Sequence, residues 1–231
     1  MKRLLAIGDI HGCLTALNTL LERVRPQRED VLVTLGDYVD RGPDSAGVIE
    51  RLFELEQQTQ WVPLLGNHDL LFKQVLDGDR TFFDGWLSVG GTETLDSYGG
   101  RIEVPASHRA FLENRCRLFY EPEGAEVFFV HGSVVPKRPL TRQRSEDLLW
   151  QRVTDLTERH ESGKLMICGH TAQRSGLPLV TPNAICIDTW AFGEGWLTCF
   201  DVHAETFVQA NEEGQVRAFS LADLVRGKVG G

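Results

Sequence analysis

The chain has no run approaching the roughly 20 apolar residues that a membrane-spanning helix needs, which excludes a membrane partner. Repeats, low-complexity tracts and Pro/Ser-rich linkers are also missing, so the 231 residues are expected to build one domain over 1–231. Positive charge is scarce. A formal net charge of −9, without aromatics interleaved among basic residues, excludes a nucleic-acid partner. No CxxC pair exists, and the five cysteines (Cys13, Cys116, Cys168, Cys186, Cys199) are odd in number and widely spaced. They read as free thiols in apolar runs, which excludes a disulfide framework and agrees with a reducing, cytoplasmic location. Met1-Lys2-Arg3 imitates a signal peptide, but the apolar run after it stops at Gly8-Asp9 and reads as a first strand. No serine or cysteine nucleophile motif is present, and no feature fixes an oligomeric state.

What is present is a set of three motifs, each placed where an apolar run ends. Gly8-Asp9-Ile10-His11-Gly12 follows residues 4–7, Gly36-Asp37-Tyr38-Val39-Asp40-Arg41-Gly42 follows 31–35, and Gly66-Asn67-His68-Asp69 follows 62–65. A short β-rich run stopping at Gly-Asp or Gly-Asn reads as a buried strand that delivers polar side chains to one edge of a sheet. One Gly-Asp after a strand is ordinary turn chemistry; three in succession with His and Arg attached are not. The order between motifs is helical: Leu14, Leu17, Leu20, Leu21 and Val24 form one stripe with Pro26 as its stop, and Pro43 is placed to open a second helix carrying Val48, Ile49, Leu52, Phe53 and Leu55. Strand-helix alternation implies parallel strands, whose carboxyl ends collect ligands. Residues 70–117 read as an irregular helical cap. Strands return at 126–130, 165–168, 184–187, 196–202 and 206–210, with a hairpin connection at 201–205 and a last short helix at 221–226.

The trio of motifs, with Phe129-Val130-His131-Gly132 and Cys168-Gly169-His170-Thr171 after it, resembles the phosphoprotein phosphatase branch of the calcineurin-like metallophosphoesterases, closest to the small bacterial and phage-type enzymes. The resemblance implies an α/β fold, a β-sandwich of two mixed sheets flanked by helices. It implies two divalent metal ions, with Asp9, His11 and Asp37 on one and Asp37, Asn67, His131 and His170 on the other, Asp37 bridging. That donor set suits manganese, or iron or zinc, better than magnesium. Two such cations share a hydroxide that attacks phosphorus. The resemblance also implies that His68 protonates the leaving group, that Asp40 orients His68, and that Arg41, Asn67 and a second arginine grip the phosphate. Arg152 in Leu148-Leu149-Trp150-Gln151-Arg152 is the choice for that arginine, with Arg144 and Arg142 as competitors.

The implied function is a metal-dependent protein serine/threonine phosphatase, with some tolerance of phosphotyrosine, acting on phosphoproteins or phosphopeptides. The alternative is a symmetrical diadenosine tetraphosphate hydrolase. It is raised by Asp69, because protein phosphatases usually carry Glu there to tether an arginine, whereas Asp is also seen in the tetraphosphatases. Against it, little in the sequence marks an adenine pocket: Trp61, Trp86, Trp190 and Trp196 read as packing residues, with Trp190 able to approach the site. A metal-dependent nuclease and a catalytically dead binding module are disfavoured, by the charge and by the retention of every matched position. His108, His160 and His203 read as surface side chains, and Asp188 as a carboxylate supporting the site from behind.

Overall fold

The first apolar run is β1 (Leu4–Ile7) of the computed structural model, which describes residues 2–79 and 81–229. Met1, Arg80, Gly230 and Gly231, which belong to the spans expected for the domain or its cap, lie outside the described residues. After β1 come α1 (Leu14–Val24), β2 (Val31–Thr34), α2 (Ser45–Glu56) and β3 (Gln60–Pro63). Helix α1 stops where Arg25 turns left-handed and returns its N–H to the Leu21 carbonyl, directly before Pro26. Pro43 does not open α2. The helix starts at Ser45 because the Asp44 carboxylate accepts the Gly47 N–H at 2.7 Å and takes the capping position.

Four helices follow: α3 (Asn67–Leu76), α4 (Phe83–Trp86), α5 (Thr92–Ser97) and α6 (Ala106–Asn114), with a π-helical turn at Leu87–Gly91 between α4 and α5. The remainder runs β4 (Phe119–Tyr120), β5 (Val127–Val130), α7 (Ser145–Trp150), β6 (Leu165–Cys168), β7 (Leu179–Val180), β8 (Ala184–Cys186), β9 (Asp188–Thr189), β10 (Trp196–Asp201), β11 (Thr206–Ala210), β12 (Val216–Ser220) and α8 (Leu221–Val225).

Two mixed sheets result. One has the order β12-β11-β10-β1-β2-β3 with β9 beside β10, and its β1, β2 and β3 are parallel. The other has the order β4-β5-β6-β8-β7, with β5, β6 and β8 parallel. Strands β1, β2, β5, β6 and β8 are buried on both faces, and the two-residue period sends alternate side chains into different cores. Leu4, Ala6, Val31 and Val33 meet Val127, Phe129, Ile167 and Ile185 between the sheets. Leu5, Ile7 and Leu32 instead pack against Leu17 and Leu20 of α1 and Val48 and Leu52 of α2. On the far side Phe128, Val130, Met166 and Cys168 are covered by Leu140, Leu148 and Val153. The sandwich flanked by helices is therefore the architecture of the chain.

Two histidines depart from expectation. His108 is buried, with the Glu50 carboxylate and the Tyr98 hydroxyl each 2.8 Å from a ring nitrogen. His160 is buried too, where the Arg138 carbonyl and Ser162 hydroxyl satisfy its ring nitrogens. Their partners come from distant segments or a local turn, so polar sequence surroundings gave the wrong sign. His203 is exposed, as expected. All five cysteines are free. Among the described residues no helix is long and apolar enough to cross a membrane.

Candidate metal centre

The loops after β1, β2, β3, β5 and β6 converge, and the backbone stitches them together. The Asp37 carbonyl accepts the N–H groups of Ile10 and His11 at 3.0 and 2.8 Å, and the Tyr38 carbonyl accepts that of Gly12 at 2.9 Å. The Asp69 carboxylate, fully buried, accepts the N–H groups of Gly66, Asp37 and Tyr38 at 2.8–2.9 Å. Asp69 therefore fastens the second loop to the third: its short side chain is spent on three backbone donors. Left-handed backbone gathers here as well. His11, Asp37, Asp40, Arg41, His170 and Trp190 all have φ between 47° and 72°, conformations that non-glycine residues adopt only when the surroundings impose them. Two glycines are required for close approach. A Cβ on Gly66 would meet Asp37 Oδ1, and one on Gly169 would meet Asp9 Oδ1, each at 2.0 Å.

Three histidines present one ring nitrogen to a common centre and anchor the other on a carbonyl. His11 Nδ1 donates to Val39 O at 2.8 Å, His131 Nδ1 to Leu35 O at 2.8 Å, and His170 Nε2 to Trp150 O at 3.1 Å. A carbonyl can only accept, so the proton sits on the anchored nitrogen and the lone pair points inward. Inward lie His11 Nε2, 3.3 Å from Asp37 Oδ2, and His131 Nε2, 3.4 Å from Asp37 Oδ1. His131 Nε2 and His170 Nδ1 stand 2.9 and 2.8 Å from Asn67 Oδ1. These are acceptors facing acceptors at contact distance, an arrangement that a cation satisfies and a hydrogen bond does not. The ligand atoms form two groups, His11-Asp37-His68 and Asp37-His131-His170, each spanning no more than 4.8 Å, with Asp37 shared. Asp9, expected in the first group, instead takes the His170 N–H with both carboxylate oxygens at 3.0 and 3.2 Å. The donors present fit divalent cations.

The electrostatics separate His68 from the other three. Burial pushes His11 down to about 3 and His170 down to about 4, and lowers His131, so all three are neutral and ligand-ready. Burial also opposes charge on His68, but Asp37 and the hydrogen bond to Asp40 outweigh it and raise its pKa. His68 Nδ1 lies 2.7 Å from Asp40 Oδ2. Asp9 is raised well above the usual carboxylate range by burial and by the neighbouring charges of Asp188 and Asp37, and burial lifts Asp188 to about 6. Crowded buried carboxylates of this kind are relieved by positive charge.

The mouth of the site is a cavity of about 340 Å³ lined by Asp37, Arg41, Asn67, His68, Trp150, Arg152 and His170, with Leu71 and Val89 on its wall. Arg41 Nη1 and Nη2 stand 2.9 and 2.7 Å from Nε2 of His11 and of His68, and its guanidinium carbon sits 4.6 Å from the Phe192 ring centre. Arg152 reaches the same cavity; Arg144 bonds Asp147 at 3.2 Å instead. Trp190 stands one ring further back, 6.2 Å from Phe192. Sequence reasoning missed how α4 and α5 serve the site. Trp86 Nε1 and Thr94 Oγ1 donate to Asp40 Oδ1 at 2.9 and 2.8 Å, and Arg41 N donates to Gly90 O at 2.9 Å. These partners lie 46 to 54 residues from Asp40, and no local pattern announces them. Trp86, a packing residue by its sequence pattern, is buried and also holds a carboxylate.

Comparison with known proteins corrects the expected substrate. The chain is 32% identical over 136 residues to the symmetrical bis(5'-nucleosyl)-tetraphosphatase of Pseudomonas putida strain W619, covering 57% of this chain and 42% of that protein. The corresponding proteins of Ralstonia nicotianae and Acidovorax sp. strain JS42 are 37% identical over 132 residues and 49% identical over 79. The Ralstonia match covers 57% of this chain and 42% of its relative; the Acidovorax match covers 33% and 27%. The chain thus spans about two fifths or less of the length of these curated relatives. All three carry the tetraphosphatase name, which overturns the expectation of a protein serine/threonine phosphatase with phosphoprotein partners. Asp69, the one departure from the protein-phosphatase pattern, was the residue that pointed this way. Solved structures agree on fold alone. A candidate diadenosine tetraphosphatase superposes with a TM-score of 0.68 at 23% identity, covering 94% of this chain and 93% of that one. A cold-active protein-tyrosine phosphatase of Shewanella sp. gives 0.62 at 17%, covering 94% and 80%. The calcineurin-like phosphoesterase family model matches residues 2–193, a span that contains every converging loop of the metal centre, and the chain belongs to that family.

Proposed function

We propose that the chain is a metal-dependent hydrolase of dinucleoside polyphosphates that splits diadenosine tetraphosphate symmetrically into two molecules of ADP. The observation that carries this reading is the shared tetraphosphatase name of relatives 32–49% identical to the chain; the acceptor-lined centre opening between Arg41 and Arg152 supports it.

Asp9, His11 and Asp37 would hold one cation and Asp37, Asn67, His131 and His170 the other; manganese is the first choice for this mixed nitrogen and oxygen set, with iron or zinc next. Bound there, the cations would supply Lewis acidity toward phosphoryl oxygen and an activated water at neutral pH. The chain's own residues do the rest. Arg41 and Arg152 neutralise non-bridging oxygens and set the central phosphoanhydride across the centre. Water adds to one inner phosphorus, the bridging P–O bond breaks, and His68 gives the Nε2 proton to the departing ADP oxygen. Asp40 holds Nδ1–H and with it the ring orientation. The chain reads as one domain, 1–231, whose helical region 70–117 caps and braces the site. Its free cysteines suit the cytoplasm.

The test is product analysis after metal removal and Mn²⁺ add-back. Diadenosine tetraphosphate should yield ADP alone; ATP with AMP, or no turnover, would remove the reading.

A further inference from the structure

Trp150 stands apart from the other aromatics of the site. It is the last residue of α7, and its carbonyl takes the His170 Nε2 proton. Its ring meets His170 at 6.3 Å between centres and 82°, a T-shaped contact. The residue remains 45% exposed, although Trp86 at the same site is 1% exposed. Its edge contact with His170 leaves much of the indole open at the cavity that it lines. The same cavity is lined by Val89, 41% exposed, and by Leu71, which add apolar surface, and by Arg41 and Arg152, which supply positive charge. Arg152 follows Trp150 by two residues, because the chain leaves α7 in extended conformation at Gln151. An aromatic surface and a guanidinium two residues apart match a flat heterocycle joined to a phosphate. At about 340 Å³ the cavity is near the small end of ligand sites, roughly 300–1,000 Å³, a size for one half of a dinucleotide.

We propose that Trp150 is the stacking platform for one nucleobase of a nucleoside polyphosphate, with Val89 facing it and Arg152 on the adjoining phosphate. This site rests on the dinucleotide reading given above, and it answers the apparent lack of an adenine pocket in the sequence. Base-aromatic stacking depends on the π-face that every base has, so the platform should accept any purine.

The experiment measures binding of ADP and of pyrophosphate, in the same Mn²⁺ buffer, to the full chain and to its Trp150→Ala and Trp150→Phe variants. Trp150→Ala should weaken ADP by roughly 5- to 150-fold and leave pyrophosphate within about twofold, and Trp150→Phe should recover most of the loss. Both variants keep the carbonyl that anchors His170. Equal loss of both ligands would make Trp150 a structural support of His170, and unchanged ADP affinity would leave it without a role; either outcome overturns the subsite. Failure of the functional reading looks different: ADP would bind with the predicted dependence on Trp150 while diadenosine tetraphosphate went uncleaved.

Discussion

Asp40 divides its two carboxylate oxygens between different tasks: Oδ2 holds His68 Nδ1 at 2.7 Å, while Oδ1 accepts from Trp86 Nε1 and Thr94 Oγ1. The carboxylate is fully buried, so its direction is set by those donors and not by solvent. A partner that fixes the carboxylate also fixes the imidazole it holds. The helical region after α3 is thereby tied to His68 through Asp40 and does more than cover the opening.

Thr94→Val keeps the shape of the side chain and removes one donor to Asp40. A hydrogen bond to a charged group contributes about 1.5–3 kcal/mol, so kcat should fall up to roughly 100-fold with Thr94→Ser retaining most activity. The readout is steady-state kinetics beside thermal unfolding. A variant with normal kcat and a lowered Tm would make Thr94 a structural residue only.

His68→Asn should leave metal content intact and slow turnover by ~10²–10⁴-fold. The loss should be smaller on a phosphoester with an acidic phenol leaving group than on an alkyl phosphate, because the former departs with less help from a proton. Metal analysis and the two rates decide it; equal losses on both substrates would mean that His68 is not the acid.

The converging polar groups were legible because each follows an apolar run that can only be a buried strand, and parallel strands put their carboxyl ends on one side. His11, Asp37, Asn67, His131 and His170 are brought together on that logic, while Asp9 stands beside them on the His170 N–H. The short strands β4, β7 and β9 were illegible because two residues carry no periodicity, and β12 because its residues are only partly buried. The burial of His108 and the bracing of Asp40 by Trp86 and Thr94 depend on partners far along the chain. Substrate class was carried in the sequence by Asp69 alone, a single carboxylate against five motifs shared by both classes of enzyme, and the curated relatives correct it.

Arg152→Ala should weaken phosphate binding and slow the reaction by roughly 10- to 150-fold, the scale of one charge-assisted hydrogen bond. Arg144→Ala should be nearly silent, because Arg144 is exposed and spends its charge on Asp147. Measuring kcat/KM for both variants on the same dinucleotide tests the placement, and the reverse pattern would move the second phosphate arginine to Arg144.

The last expectation concerns stability away from the site. Asp30 is buried directly before β2, where it takes the Arg3 guanidinium at 2.6 and 2.9 Å and the backbone N–H groups of Arg3 and Gln27 at 2.9 and 2.8 Å. Burial by itself would raise the Asp30 pKa, but the Arg3 hydrogen bonds and the two backbone donors outweigh it and lower it. A carboxylate whose folded pKa is depressed contributes stability above its unfolded value of about 3.9, and that contribution disappears as pH falls through the folded value. Asp30→Asn should therefore destabilise the chain by about 2 kcal/mol at pH 7, with the gap to wild type closing below about pH 4. Urea unfolding of both proteins across that range checks it. A gap that stayed constant into acid would show that Asp30 acts through its shape and its neutral hydrogen bonds, and that the charge on the Arg3 pair adds nothing to the docking of β1 against β2.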